Sequence, residues 1–402
     1  MIETVLVCLV GILESQVQDN GTPRPPRPQG PPRAHASEWK TDGRVRGNLR
    51  FNSNVWLLDS DAQDRLESDR TSDRTSGRYK DMESVEDVIF TPGGRYHAAG
   101  PSPLGRRLSF WADAEYSFYI QNSRRSNLET NVGVGQYAGP DGHLQLSLNF
   151  IPQYFERNYL ADAFDVNGDG SISSSERQYE HGDYLEWDLA LEYRHRIVDR
   201  TKSQEFGLDG HVTVGFRDRN FNSPFRGHDE TGPWLQLMLR FQVGTGLKWG
   251  LRYKYEDLSS PTEREVQILD EPDFGVDLNG DLDIADQNVR TYEAVDRTRV
   301  EQEIGFTFGV DLGPKTELDF LYTRTTRDYA SDEVFDVGHR DREDKRNDFG
   351  LSLRGRPSAS WEWRFGIQVR RHDTDRAANP DLSGDAFDYW RLILLAAMTY
   401  RW

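Results

Sequence analysis

The sequence predicts an all-β fold: an antiparallel transmembrane β-barrel of 12–14 strands with long loops on one rim. Three observations predict it. Runs of alternating apolar and polar residues, each about 9–15 long, recur along the chain. A period of two marks an extended strand, and that length suits a strand tilted across a bilayer. Connections between the runs alternate between tight and long, as they do when a barrel keeps short turns on one rim and large loops on the other. Hydrophobic residues make up only 36% of the 402-residue chain. With a mean hydropathy of −0.77, no stretch is apolar enough for a helical span. A barrel escapes that limit because only alternate residues meet lipid.

The remaining composition narrows the function. A net charge of −18 argues against a nucleic-acid partner. The single cysteine, Cys8, allows neither an intramolecular disulfide nor a cysteine metal site. Val5-Leu6-Val7 precede it, whereas lipid-anchored cysteines normally follow a small residue. Val5 to Leu13 is an apolar run of signal-peptide size, but no cation stands before it. Residues 22–37 are Pro-rich and read as an extended linker. Residues 1–38 are therefore a degenerate signal-like segment, or a misplaced start, plus a linker. Residues 39–402 are the barrel.

In chain order, residues 44–51 begin the alternation, with Val45, Leu49 and Phe51 opposite Arg44, Arg46, Asn48 and Arg50. From Asp59 to Leu104 it dissolves into Ser-Asp-Arg repeats and a Pro/Gly-rich tail, which read as a long polar loop. It resumes at 107–120, weakly at 128–134, and again at 144–150. Clean runs follow at 184–197, 205–217, 234–243, 247–256, 302–312, 317–326, 348–356 and 361–370. The run from Ala386 to Trp402 is the longest. Its outer row is Trp390, Leu392, Leu394, Ala396, Met398, Tyr400 and Trp402. Thirteen runs conflict with the even strand number of single-chain barrels. Either one strand hides within 59–104 or the weak run near 124–138 does not span; fourteen fits better than twelve. Tight turns fall near Asp199–Ser203, Gly244–Gly246, Gly313–Lys315 and Ser358–Ser360. Long loops fall at about 159–183, 218–232, 258–298, 328–345 and 373–385.

The terminal run, ending on an aromatic residue with apolar or aromatic residues at every second position before it, resembles the last strand of bacterial outer-membrane β-barrels. The resemblance implies an outer-membrane location, lipid as solvent, and barrel-assembly machinery that reads the terminal strand. It also implies a periplasmic carboxy terminus with the long loops outside. In its inward Arg and acidic rows the chain is broadly similar to exopolysaccharide-export barrels, a likeness of composition only. These likenesses imply a porin-like channel for small polar or charged solutes or sugars. The alternative is a non-conducting scaffold that shows its loops to an envelope partner. No hydrolase or phosphate-binding motif stands out, so the chain reads as a non-enzyme.

Asp165 to Glu176 resembles an EF-hand calcium loop at every ligand position. Asp165, Asn167 and Asp169 would supply side-chain oxygens, Ser171 a carbonyl, Ser173 a water-mediated contact and Glu176 a bidentate carboxylate. Gly170 permits the sharp turn. Arg177 stands where an apolar residue usually opens the exit helix, so the expectation is an isolated loop. Asp277, Asn279, Asp281 and Asp283 repeat the spacing more weakly, without the central glycine or the final acid. Ca2+ is the expected ion at both, with loop stiffening as its role; the bland alternative is an ordinary acidic turn.

The inward rows form charge sectors. Asp113, Glu115, Glu129, Glu186, Asp188, Glu192, Glu205 and Asp209 are acidic; Arg240, Lys248, Arg252 and Lys254 are basic. Glu303, Asp311, Glu317 and Asp319 follow, then Arg354, Arg356, Arg364 and Arg370. They line either a polar pore with a transverse field or a salt-bridged plug.

Overall fold

The structure, a computed structural model, describes residues 38–58, 60–68, 79, 81–103, 106–163, 177–198, 206–244, 246–270, 288–331, 336, 339–340, 342–375 and 388–402. Fourteen antiparallel strands close into one barrel. They are β1 (Lys40–Asn52), β2 (Asp87–Pro101), β3 (Arg107–Tyr119), β4 (Asn127–Tyr137), β5 (Gly142–Ala163), β6 (Arg177–Val198) and β7 (Phe206–Phe221). After them come β8 (Glu230–Val243), β9 (Leu247–Leu258), β12 (Arg299–Gly313), β13 (Thr316–Tyr329), β14 (Glu343–Gly355), β15 (Trp361–Asp375) and β16 (Tyr389–Arg401). Strands β10 (Glu263–Asp270) and β11 (Asn288–Val295) form a separate hairpin between β9 and β12. An α-helix, α1 (Ser60–Ser68), lies between β1 and β2.

The missing strand is β2, hidden in the stretch read as a polar loop. Its outward row is Val88, Phe90, Pro92, Gly94, Tyr96 and Ala98, apolar but too small and too rich in Pro and Gly to register as a strand. Pairing with β3 breaks off between Phe90 and Gly93, where Pro92 has no N–H to give. The Thr91 and Ser117 hydroxyls bridge the gap at 3.2 Å. The weak run near 128–134 is a true barrel strand, β4.

Closure pairs β1 with β16, from Arg44 opposite Arg401 to Asn52 opposite Ile393. The rim holding Arg44 and Trp402 therefore carries the short turns after β2, β4, β6, β8, β12 and β14. The opposite rim carries the larger connections. Two long loops shrink relative to expectation. β5 and β6 pair as far as Ala163 opposite Arg177, so only 164–176 connects them, not 159–183. The 258–298 loop contains the β10–β11 hairpin, paired to Asp270 opposite Asn288.

The outer wall is an apolar belt. Leu146, Leu189, Leu191, Val212, Val214, Leu237, Leu251, Phe349 and Leu351 are all exposed there. A monomer in water would not leave such a surface uncovered; hydrocarbon is its natural solvent. This closed barrel with a lipid-facing belt is an integral protein of the bacterial outer membrane.

Among the described residues, the largest apolar cluster lies at the loop-side mouth of the barrel, where it packs on the inward-facing Ile89 of β2. Val55, Trp56, Leu58, Leu66, Tyr79, Met82 and Val85 from the β1–β2 connection pack with Ile89 and Phe155. Asn122, fully buried, ties this cluster down. Its Oδ1 accepts from Trp56 Nε1 (3.0 Å) and the Glu83 and Ser84 amides, while its Nδ2 donates to Asp87 and the Ser84 carbonyl.

Candidate functional site: the barrel lumen

The inward residues form a nearly continuous ion-pair lining. Strand alternation puts them there: across the belt each lies one residue from a lipid-facing apolar side chain, and past the belt the same alternation continues between two polar faces. On β6–β9, Arg219 donates to Glu186 (2.8 Å) and Glu230 (3.1 Å). Arg217 meets Asp188 (3.2 Å) and Glu256 (3.0 Å). Arg299 on β12 reaches over β9 to Glu230 at 2.5 Å. Arg327 binds Glu301 (2.6 Å), Arg346 approaches Glu303 (3.6 Å) and Asp348 (3.2 Å), and Arg370 binds Asp348 (2.6 Å).

The expected basic residues sit largely as the alternation places them. Lys248 bridges Asp311 (2.8 Å) and Glu317 (2.6 Å), Arg252 binds Glu303 (2.6 Å) and Lys254 binds Glu256 (2.6 Å). Arg354 approaches Asp319 (3.5 Å), and Arg364 donates to the Ser352 hydroxyl. Arg240 donates to the Met238 sulfur. Arg356 departs from expectation: it follows the end of β14, in the turn, where it binds Glu362 at 2.7 Å. The charge sectors thus stand side by side and neutralise one another.

One wall is less balanced. The seam strands β1 and β16 turn Arg44, Arg46, Arg50, Arg391 and Arg401 inward. Their one inward carboxylate, Asp42, is taken by His97 at 2.8 Å. Arg46 crosses over Gly93 on β2 to bind Asp113 (2.7 Å) and Glu115. A side chain at Gly93 would meet Glu115 Cγ at 2.9 Å and Arg46 Nε at 3.1 Å, so glycine opens this path. Arg391, opposite Arg370 and near Arg50, donates to the neutral Asn52 amide oxygen at 3.0 Å.

Sequence reasoning stopped short of Arg217, Arg219, Arg299 and Arg327. They lie where strands pass the belt and both faces turn polar, so alternation no longer reports them. Both calcium-like motifs, Asp165 to Glu176 and Asp277 to Asp283, lie outside the described residues, as do residues 1–37 and Glu205. Their flanks are described: each stretch joins the paired ends of a hairpin on the loop rim. Among the described residues, no group of three or more His, Cys, Asp or Glu side chains forms a metal site.

No protein-family model and no curated protein matches the chain. Solved structures resemble it at low identity. The loop-deletion form of OmpT, an outer membrane protein of Vibrio cholerae, is 10% identical (TM-score 0.38), covering 91% of this chain and 99% of that one. An anion-selective porin from Comamonas acidovorans is 9% identical (TM-score 0.37), covering 91% and 99%. The outer membrane channel DcaP of Acinetobacter baumannii is 12% identical (TM-score 0.41), covering 91% and 97%.

Proposed function

We propose that the barrel is a channel for small polar or charged solutes or sugars, with loops stiffened by Ca2+. One observation carries the channel reading. The lumen ion pairs named above all lie within one strand, between neighbouring strands or between strands one removed, so they line the wall and do not bridge the bore. Fourteen strands enclose more than the eight that side chains alone can fill. The arginine-rich seam gives the bore a cationic side, which favours passage of anions.

Reconstitution in planar bilayers tests this. Discrete conductance steps are expected, with a reversal potential favouring anions in a salt gradient. Replacing Arg50 and Arg391 by Glu is expected to move that potential toward cations. A folded barrel that stays silent at every salt concentration would overturn the channel and leave the scaffold reading.

The calcium reading rests on the donor set of Asp165, Asn167, Asp169, Ser171, Ser173 and Glu176, with Asp277, Asn279, Asp281 and Asp283 as a weaker second site. Extracellular sites of this type bind at roughly 10⁻⁴–10⁻³ M. Asp165→Ala with Glu176→Ala is expected to abolish calcium-dependent protection of 164–176 from proteases. Equal cleavage of the wild type with and without calcium would refute it. We also assign the terminal strand, through Trp402, the contact with the assembly machinery.

A further inference from the structure

Cations are scarce on the lipid-facing side. Along the outward rows of the fourteen strands, Lys and Arg occur at Arg324, Lys345, Arg371 and Arg177. Arg177 stands far past the belt at the end of the projecting β5–β6 hairpin. The other three sit on consecutive strands, β13, β14 and β15, directly at the loop-side edge of the belt.

Register makes them one surface. Arg324 is opposite Asn347, Asn347 is opposite Arg371, and Arg371 is opposite Trp390. The next row toward the barrel centre is Tyr322, Phe349, Val369 and Leu392, wholly apolar but for one hydroxyl. That hydroxyl donates to Asn347 Oδ1 at 3.1 Å, which leaves the Asn347 amide nitrogen as an outward donor. Arg324 is exposed and has no hydrogen-bond or ion-pair partner among the described residues. Arg371 gives only its Nε, to Asp373 at 2.7 Å, and lies over the Trp390 ring at 5.7 Å. Lys345, one row farther out, is already held by Glu343 (2.9 Å) and Asp375 (2.6 Å). The Arg324–Asn347–Arg371 row therefore presents donors and no carboxylate, with carboxylates only beyond it.

Neighbouring strands lie about 4.8 Å apart, so Arg324 and Arg371 flank Asn347 at about 10 Å between backbones. Both guanidinium groups can close on one tetrahedral anion, the geometry arginine recognises best. An arginine at the edge of hydrocarbon is also the residue that gains most from an anion fixed at that depth.

We propose that this row binds the phosphate of a membrane-lipid headgroup. The acyl chains then descend over Tyr322, Phe349, Leu351 and Ile367, and Trp390 stands at the headgroup level. Continuity with the apolar wall selects a lipid over free phosphate, because a free ion would leave that wall to other lipids. The proposal needs only a membrane-spanning barrel, so it stands or falls apart from conductance.

The full chain in phosphatidylcholine nanodiscs doped with bisphosphorylated lipid A provides the test, read as lipid retained per barrel. Wild type is expected to retain it. Arg324→Ala with Arg371→Ala is expected to lower apparent affinity by about tenfold or more, the loss of charge-assisted contacts. Arg324→Gln alone keeps the question answerable if the double variant misfolds; it is expected to show a smaller loss in the same direction. Equal retention by wild type and variants, or of lipid A stripped of its phosphates, would overturn the proposal. Complete competition by millimolar inorganic phosphate would assign the row to the free ion instead.

Discussion

The lumen and the loop-rim cluster hold themselves together by opposite means. In the lumen, arginines and carboxylates are paired in registered rows, and the apolar side chains go out to lipid. At the rim, Trp56, Leu58, Leu66 and Met82 are almost fully buried around a single amide hub, as in a small water-soluble domain. The difference follows the solvent. Lipid gives no hydrophobic reward for inward apolar packing, so the barrel wall relies on hydrogen bonds and ion pairs. At the loop-side mouth, water restores the reward, and the β1–β2 connection buries what it can against Ile89 and Phe155.

Emptying the rim core should have the largest effect. Trp56→Ala, which also removes the Nε1 donor to Asn122, is expected to cost about 3–5 kcal/mol locally. Hydrogen exchange would show it as loss of protection at 53–58 and 81–86 with the barrel strands unchanged. Equal loosening of β1 and β2 would erase the distinction between the two regions. Glu230→Gln comes next, because it leaves Arg299 and Arg219 facing a neutral amide. About 2–3 kcal/mol is expected, seen as a lower urea midpoint for the barrel with the rim core intact. Gly93→Val should cost about 1–3 kcal/mol by crowding the Arg46 path, and the same urea titration would report it.

The smallest effect is a pH dependence in the β13–β14 loop. Asp336 is fully buried there, which raises its pKa. The hydrogen bonds from His339 and the Asp296 amide (2.9 Å) outweigh that and hold the carboxyl below its ordinary 3.8. A depressed carboxylate stabilises fully above its unfolded pKa and loses that contribution as pH falls through its folded value. Proteolysis around 336–342 is expected to match at pH 7 and pH 5 and to rise below about pH 3.8. Asp336→Asn should remove the step.

How much was legible in the sequence follows the same division. Across the belt, one face must be apolar and the other polar, so strands such as 184–197 and 247–256 could be read residue by residue. Their partners could be guessed too: Lys248 and Glu317 stood in adjacent sectors and do pair. Past the belt no such rule operates. The loopward halves of β5 and β6, with Tyr154, Tyr159 and Tyr184, continue as strand without alternation. Trp56, Leu66 and Met82 are spaced aperiodically among Ser, Asp and Arg, so nothing marked them as a core. Strand β2 failed for a local reason: Pro92-Gly93-Gly94 is turn chemistry, and closure of the barrel overrides it. Arg46 needs Gly93 small, a demand set by β1 and β3 and invisible within β2.

The seam has a consequence for how the molecule comes into being. Gly43 and Trp402 exchange backbone hydrogen bonds, and Arg391 reaches Asn52 across 339 positions of sequence. Except for β9 with β12, which pair across the β10–β11 hairpin, the other wall strands pair with the next strand in the chain, so hairpins can form early and locally. The ring as a whole cannot shut until β16 exists. Until then β1 and the newest strand are open templates with a row of unpaired amides each, and the loop to be closed is nearly the whole polypeptide. Closure should therefore be a late and slow event, and as concentration rises an unfinished or delayed chain should increasingly find its missing partner on a neighbour.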